Sequence, residues 1–404
     1  KHITSDLTLP TIGASGTTIS WKSSNPSVLS NEGKVTRPKK GAADEEVTLK
    51  GTVKMGDYAK ARNFTFVVLA ESEMGPTKEF ALDQVELLDD YYLTAQNSDI
   101  EFLKKFDNDR LLSRFRETAG LDTKKIAPYG GWEDGWLGGH SVGHYLTAIA
   151  QAVKATGNAD LKEKSKQLIE GLAECQNKLG TGFIFGAKIE TEGYVEKQFD
   201  ILEGKTTGKT WVPWYNMHKM LTGLVDTYKY TGNKQALEVA KKLGDWIYNR
   251  VSKWDAGTQG RVLGTEYGGM NDCLYELYLC TRDSKHLEAA HKFDQPNLYK
   301  TVAKGGKNCL NGKHANTTIP KFLGALKRYV VLEQTGELTK DDEAYLTNVE
   351  KFFDIAVTRH AYITGGVSVM EHFRKDNNQD GTRTQTNCES CCAHNMLKMA
   401  KELY

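Results

Sequence analysis

The chain has 404 residues, 39% of them hydrophobic and 26% charged, enough apolar material for two or three packed domains without covalent staples. Its 53 basic and 52 acidic residues leave a formal net charge of +1, so no bulk field favours nucleic acid or an acidic membrane surface, and a neutral substrate fits best. The sequence has no apolar run of about 18 residues, which excludes a helical membrane span, and its 7 cysteines are too scattered for a disulfide scaffold.

Up to about residue 72 the pattern is that of strands. Alternating runs at Thr17-Thr18-Ile19-Ser20-Trp21, at 46–53 and at Phe64-Thr65-Phe66-Val67-Val68-Leu69 are separated by Gly, Pro, Asn and Ser. Ile3-Thr4, Leu7-Thr8-Leu9-Pro10, Trp21-Lys22-Ser23-Ser24-Asn25-Pro26 and Val35-Thr36-Arg37-Pro38 resemble the bacterial Ig-like modules appended to secreted carbohydrate enzymes. The resemblance implies a small all-β sandwich over residues 1–72, a spacer or a sugar-binding accessory, with Trp21 in its core. It also implies a secreted or cell-surface bacterial protein, whereas free thiols taken alone would suit the cytoplasm equally well. The start at Lys1, with neither methionine nor an apolar signal core, reads as a processed or trimmed chain.

From residue 77 onward the period becomes helical. Residues 143–155, 161–179, 217–230, 235–251, 274–280, 319–334 and 344–357 carry apolar side chains at i, i+3, i+4 spacing. Several of these segments end in one phrase, Thr156-Gly157-Asn158, Thr231-Gly232-Asn233 and Thr335-Gly336-Glu337, in which the glycine is placed to cap one helix before the next begins. Repeated helical hairpins close into a toroid or stack as a solenoid, and the toroid is favoured because aromatic and histidine-rich loops at the helix starts would gather at one mouth.

Those loops are Tyr129-Gly130-Gly131-Trp132-Glu133-Asp134, the stretch from Gly138 through His140 and His144 to Leu146, Trp211 through Trp214 and His218 to Lys219, and His314-Ala315-Asn316-Thr317. Tryptophan faces such as those of Trp132 and Trp214 pack on the C–H faces of sugar rings, while histidines and carboxylates bond hydroxyls, so the set suits a carbohydrate pocket. His140 and His144, four apart, share a helical face at a spacing also used for metals; no glutamate follows His140 as a zinc-protease motif requires. Cys388-Glu389-Ser390-Cys391-Cys392 packs sulfur and carboxylate donors densely enough for zinc, with three buried small hydrophobes as the alternative. Cys391 and Cys392, being adjacent, point to different sides of a helix.

Taken together, the run Tyr129–Leu146, Leu172-Ala173-Glu174-Cys175-Gln176, Trp214 to Lys219, His314 to Thr317, the stretch Gly365 to Phe373, and Glu389-Ser390-Cys391 leading into Asn395-Met396-Leu397-Lys398 resemble the β-L-arabinofuranosidases of glycoside hydrolase family 127 and its relative family 146. The resemblance covers residues 77–404. It implies an (α/α)6 barrel, retaining exo-hydrolysis of β-L-arabinofuranosides in plant cell-wall glycans, and a zinc-bound cysteine nucleophile. Residue by residue it implies that Glu371 is the acid/base, that Glu389 and Cys391 are zinc ligands, and that His144, His218 and His314 contact the sugar, with His140 competing for the place of His144. The relatives carry a second cysteine pair, supplying the nucleophile and the last zinc ligand, several tens of residues further on. No such pair follows here, so either the barrel is incomplete at its C-terminal end, the preferred expectation, or Cys388 and Cys392 have assumed part of the metal site. Two other classes remain open at this level: a non-catalytic carbohydrate-binding protein of the same fold, and a zinc-dependent polysaccharide lyase, which the neutral charge disfavours.

Overall fold

The computed structural model describes residues 2–4, 6–13, 16–39, 42–71, 79–187 and 194–404. The chain divides into two units, Lys1–Glu79 and Phe80–Tyr404. The junction expected between residues 72 and 77 lies outside the described residues.

The first unit is built on one four-stranded sheet. Strands β1 (His2–Ile3), β2 (Thr18–Ser23), β3 (Glu45–Met55) and β4 (Tyr58–Val68) lie in the order β1-β4-β3-β2, antiparallel except for the parallel β1–β4 pair. Period-two alternation drives Val47 and Leu49 of β3 into a small core with Ile3, Leu29 and Val68. Trp21 lies opposite Gly51 in the β2–β3 ladder, and its indole covers the glycine: a Cβ there would stand 2.8 Å from the ring. With its Nε1–H bonded to the Pro10 carbonyl at 2.9 Å, Trp21 is a packing residue.

The second unit is helical. Its hairpins are α3 (His140–Thr156) with α4 (Ala159–Leu179), α6 (Pro213–Thr231) with α7 (Lys234–Val251), α9 (Met270–Thr281) with α10 (Ser284–His291), and α12 (Ala315–Thr335) with α13 (Glu343–His360). Helices α1 (Asp90–Lys104) and α2 (Asn108–Thr118) precede them, α5 (Lys197–Leu202), α8 (Ala256–Leu263) and α11 (Pro296–Ala303) are short connectors, and α14 (Ser390–Leu403) follows. Helices α3, α6, α9, α12 and α14 pack side by side in that order as an inner row, with α4, α7, α10 and α13 outside them. This is the alternation of an α/α barrel. Gly157, Gly232 and Gly336 cap their helices in the left-handed conformation as the sequence pattern requires. The α9–α10 turn does the same with Arg282 at φ 57°, so the hairpin is there although its glycine is not.

Two close helix crossings set the geometry of the inner row. A Cβ on Gly143 would stand 2.1 Å from the Lys219 carbonyl oxygen, and one on Gly223 would stand 2.6 Å from that of Gly143, so α3 and α6 touch backbone to backbone. At Gly324 of α12 an added Cβ would overlap the Asn271 amide of α9. His144, His218 and Lys219 line one cavity beside these crossings.

Candidate active site

Glu371 stands at the tip of a two-residue hairpin. Val369 and His372 exchange backbone hydrogen bonds of 3.0 and 3.1 Å, and the turn residues Met370 and Glu371 have φ of 47° and 62°. Neither is glycine, so the left-handed conformation costs about 1–2 kcal/mol per residue. The hairpin is held there by the start of α12, where Ala315 N–H donates to the Glu371 carbonyl at 2.6 Å and Phe373 N–H to Lys313 at 2.9 Å. Local strain maintained by surrounding structure is a frequent mark of functional positions.

The same helix start supplies His314. It is the N-cap of α12, and its Nδ1 accepts the Thr317 N–H at 3.1 Å. That bond leaves the ring proton on Nε2, which lies 2.8 Å from Glu371 Oε2 and donates to it. The His372 ring packs edge-on against His314 at 4.9 Å. Glu371 is half exposed.

Glu389 is the N-cap residue of α14 but makes no capping bond with its side chain. It accepts the Cys392 thiol at 2.8 Å and also bonds the Cys391 thiol. The two cysteines diverge as adjacent helix residues must: Cys392 is fully buried beside Ser368, while Cys391 is half buried and senses the charges of Lys219 and Glu371. Burial, then the Glu389 bond, pushes the Cys391 thiol up to about 11. Cys388, in the left-handed conformation, turns away to Thr364 at 2.8 Å.

Residues not singled out in the sequence complete the cluster. Tyr215, one turn before His218 on α6, has its hydroxyl pushed up by burial and then by Cys391, Glu266, Glu389 and Glu371. Lys219 is buried, and burial and the Lys398 charge bring it down to about 8, while Cys391, Glu266 and Asp272 oppose the fall. Glu266 precedes the turn into α9, and burial, with the charge of Glu371, raises its carboxyl above the ordinary range. The available signal for Glu266 was Glu266-Tyr267-Gly268-Gly269, an acidic residue before paired glycines at a helix start. Gly268 is required there, because at φ 59° a Cβ would lie 2.4 Å from His218 Nδ1.

His144 and His218 line a second space, a cavity of about 150 Å³ along the inner helices. His218 is buried, with Nδ1 accepting the Gly269 N–H at 2.9 Å. The His144 ring opens to solvent in the cavity yet is surrounded by protein, and burial, ahead of the charges of Lys219, His140, His394 and Lys398, lowers it to about 3. His140 is occupied elsewhere: Nδ1 lies 2.5 Å from the Leu137 carbonyl and 3.0 Å from Glu133 Oε1. Burial works against the Glu133 charge, but bonds from His140, the Gly139 amide and the Ser141 side chain outweigh it and hold the carboxyl low. His140 and Glu133 therefore tie down the start of α3.

The tryptophans separate. Trp132 is 68% exposed, its ring 6.3 Å from that of Trp211. Trp214 corrects the expectation: it is fully buried among Phe199, Trp246, Trp254 and Phe293, because at the start of α6 it faces the outer helix α7 and the connectors rather than the mouth.

For a metal, Glu389 and Cys391 offer oxygen and sulfur donors of the kind zinc takes, but fill only two of the four places of a tetrahedral shell. Among the described residues, the His, Cys, Asp and Glu side chains that bring three donor atoms within 4.8 Å of one another are Asp245, Asp283 and His286, on α7 and at the start of α10. There the Lys285 ammonium, 3.4 Å from Asp245 and 4.0 Å from Asp283, already supplies the cation.

Inner and outer helices in alternation, with carboxylates, histidines and a thiol at one end of the inner row, define the α/α-barrel class in which glycoside hydrolases occur. A family model described as beta-L-arabinofuranosidase, GH127 catalytic domain, matches residues 84–404, and one described as an atrophied bacterial Ig domain matches residues 1–71. The chain belongs to the GH127 catalytic-domain family. Among solved structures it is similar to a GH127 β-L-arabinofuranosidase from Geobacillus stearothermophilus T6, at 18% identity and TM-score 0.52, covering 78% of this chain and 49% of that one. It is likewise similar to the GH127 β-arabinofuranosidase BT3674, at 17% identity and TM-score 0.54, covering 80% and 50%. The chain thus spans about half the length of these structures. No curated protein matches it by sequence.

Proposed function

We propose that this chain carries the acid/base half of a retaining exo-β-L-arabinofuranosidase active site, acting on arabinofuranose-bearing glycans of plant origin. The observation that carries the reading is Glu371, half exposed on a strained hairpin and bonded by His314 at 2.8 Å. A retaining glycosidase needs one group to protonate the leaving oxygen and then activate water, and another to attack the anomeric carbon. The His314 bond occupies Oε2 of Glu371 and leaves its other oxygen to carry and transfer the proton. Glu389 and Cys391 would hold a zinc ion, whose chemistry there is to keep a coordinated thiol as thiolate near neutral pH. Trp132 supplies an apolar face for a sugar ring.

Glu371→Gln is expected to lower turnover of an alkyl β-L-arabinofuranoside by about 10²–10⁴-fold, and turnover of a nitrophenyl glycoside much less, because that leaving group needs little proton assistance. Liberated arabinose, measured with both substrates, reads the difference; equal turnover by variant and wild type on the alkyl glycoside removes Glu371 from the mechanism.

A further inference from the structure

His372 stands directly opposite His314. Ala315 N–H donates to the Glu371 carbonyl at 2.6 Å and Phe373 N–H to the Lys313 carbonyl at 2.9 Å, so the two histidines are the antiparallel pair that lies between these bonds and exchanges none of its own. In such a pair the side chains leave on one face and approach most closely, and the two rings meet edge-on at 4.9 Å and 84°. Successive residues of an extended strand point to opposite faces, so an extended Glu371 would aim its carboxyl away from both rings. Its left-handed φ of 62° lets the carboxyl come back to His314, 2.8 Å away. The Glu371–His314 bond therefore depends on a turn conformation that Met370 and Glu371, neither of them glycine, disfavour.

The Met370 side chain is 65% exposed and does not hold the turn. Its main chain is fastened instead: Met370 N–H donates to the Thr386 carbonyl at 3.1 Å, and the Met370 carbonyl lies 2.7 Å from His372 Nδ1. A carbonyl oxygen only accepts, so His372 Nδ1 carries a proton and donates it. His314 is the opposite tautomer, with Nδ1 accepting and Nε2 donating. Arg374 reaches the Val369 carbonyl at 3.2 Å, one residue before the turn, and leaves the Met370 carbonyl to His372. We infer that His372 is a positioning residue for the acid/base: one ring fastens the Met370 carbonyl and backs the imidazole of His314, holding Glu371 and its partner at bonding distance. This rests on the reading of Glu371 as acid/base.

Histidine-ring nitrogen NMR on the 404-residue chain tests the geometry without turnover, with each ring identified by the loss of its signals in His372→Asn or His314→Gln. At a pH where both rings are neutral, His372 is expected as the Nδ1–H tautomer and His314 as the Nε2–H tautomer; a neutral His372 with its proton on Nε2 overturns the inference. In the enzyme assay, His372→Ala is expected to lower kcat on an alkyl β-L-arabinofuranoside by up to about 10²-fold, the effect of a misplacement of about 1 Å. KM should stay nearly unchanged, and turnover of a nitrophenyl glycoside should fall much less. His372→Asn, whose amide can donate to the Met370 carbonyl, should recover most of the loss. In a Glu371→Gln background His372→Ala should add nothing, because the group it positions is gone. A merely structural role would lower both substrates alike and persist in that background. Equal loss on the two substrates, or wild-type turnover of the alkyl glycoside by His372→Ala, overturns the inference. Failure of the acid/base reading is distinct from either, since it appears in Glu371→Gln alone.

Discussion

The two ends of the inner helical row solve the problem of buried charge in opposite ways. Deep in the cavity, Lys327 is shared between Glu276 and Glu402 at 2.6 Å each, Lys229 also reaches Glu276 at 2.6 Å, and Lys398 meets Asp272 at 2.9 Å. Near the hairpin, Glu266, Glu371 and Glu389 gather around His314, Cys391 and Lys219 with carboxylates in excess. Paired charges lock a structure; an uncompensated set is one prepared for a proton, a sugar hydroxyl or a cation. The directions agree, since Glu276 is held well below the carboxylate range, burial being overcome by Lys327 and Lys229, while burial leaves Glu266 raised.

That contrast breaks first at its paired end. Lys327→Met would take its ammonium from Glu402 and leave Glu276 with Lys229 alone, and is expected to destabilise the fold by about 3–5 kcal/mol, read as a shift in the denaturation midpoint; a wild-type midpoint would mean that the pairs are incidental. Next, the two tryptophans separate packing from recognition. Trp214→Ala should cost about 3–5 kcal/mol of stability, while Trp132→Ala should leave stability within about 0.5 kcal/mol and weaken arabinoside binding by calorimetry. Reversal of those two outcomes would exchange their roles.

A further test is a pH slope. His144, lowered to about 3, His291, lowered to about 4, and His218, lowered well below the histidine range, are all neutral in the fold, chiefly because of burial. Unfolded, each takes up a proton near pH 6.5, so the unfolded chain binds more protons below that point and stability falls as pH drops from about 7 toward 5. Thermal melts across that range should show the fall, and His291→Gln should flatten it; an unchanged slope in that variant would remove His291 from the account.

Much of the fold was legible in the chain because its signals are local. The 3.6-residue period and the Thr-Gly-Asn phrases foretold the hairpins α3–α4 and α6–α7, and Gly336 the turn after α12. The α9–α10 turn was hidden because Arg282 adopts the left-handed conformation without glycine, and α10 is only 8 residues long. In the candidate site, Glu371, His314, Glu389 and Cys391 were named from motif resemblance; the structure bonds His314 to Glu371 and sets Glu389 against the thiols of α14. Trp214 was misread because its motif mixes residues of two faces: His218 lines the cavity, whereas Trp214 turns back to the outer helices.

What the amino-acid order determined alone was the set of periodic segments, the glycine caps and the types of donor available for chemistry. Tertiary structure alone decided that His314, 57 positions before Glu371, bonds its carboxylate, and that Gly143 lets α3 meet α6 at Lys219. The physical reason is range: caps and helical faces follow from neighbours a few residues apart, whereas the state of a buried carboxyl depends on which remote charges the packing places beside it.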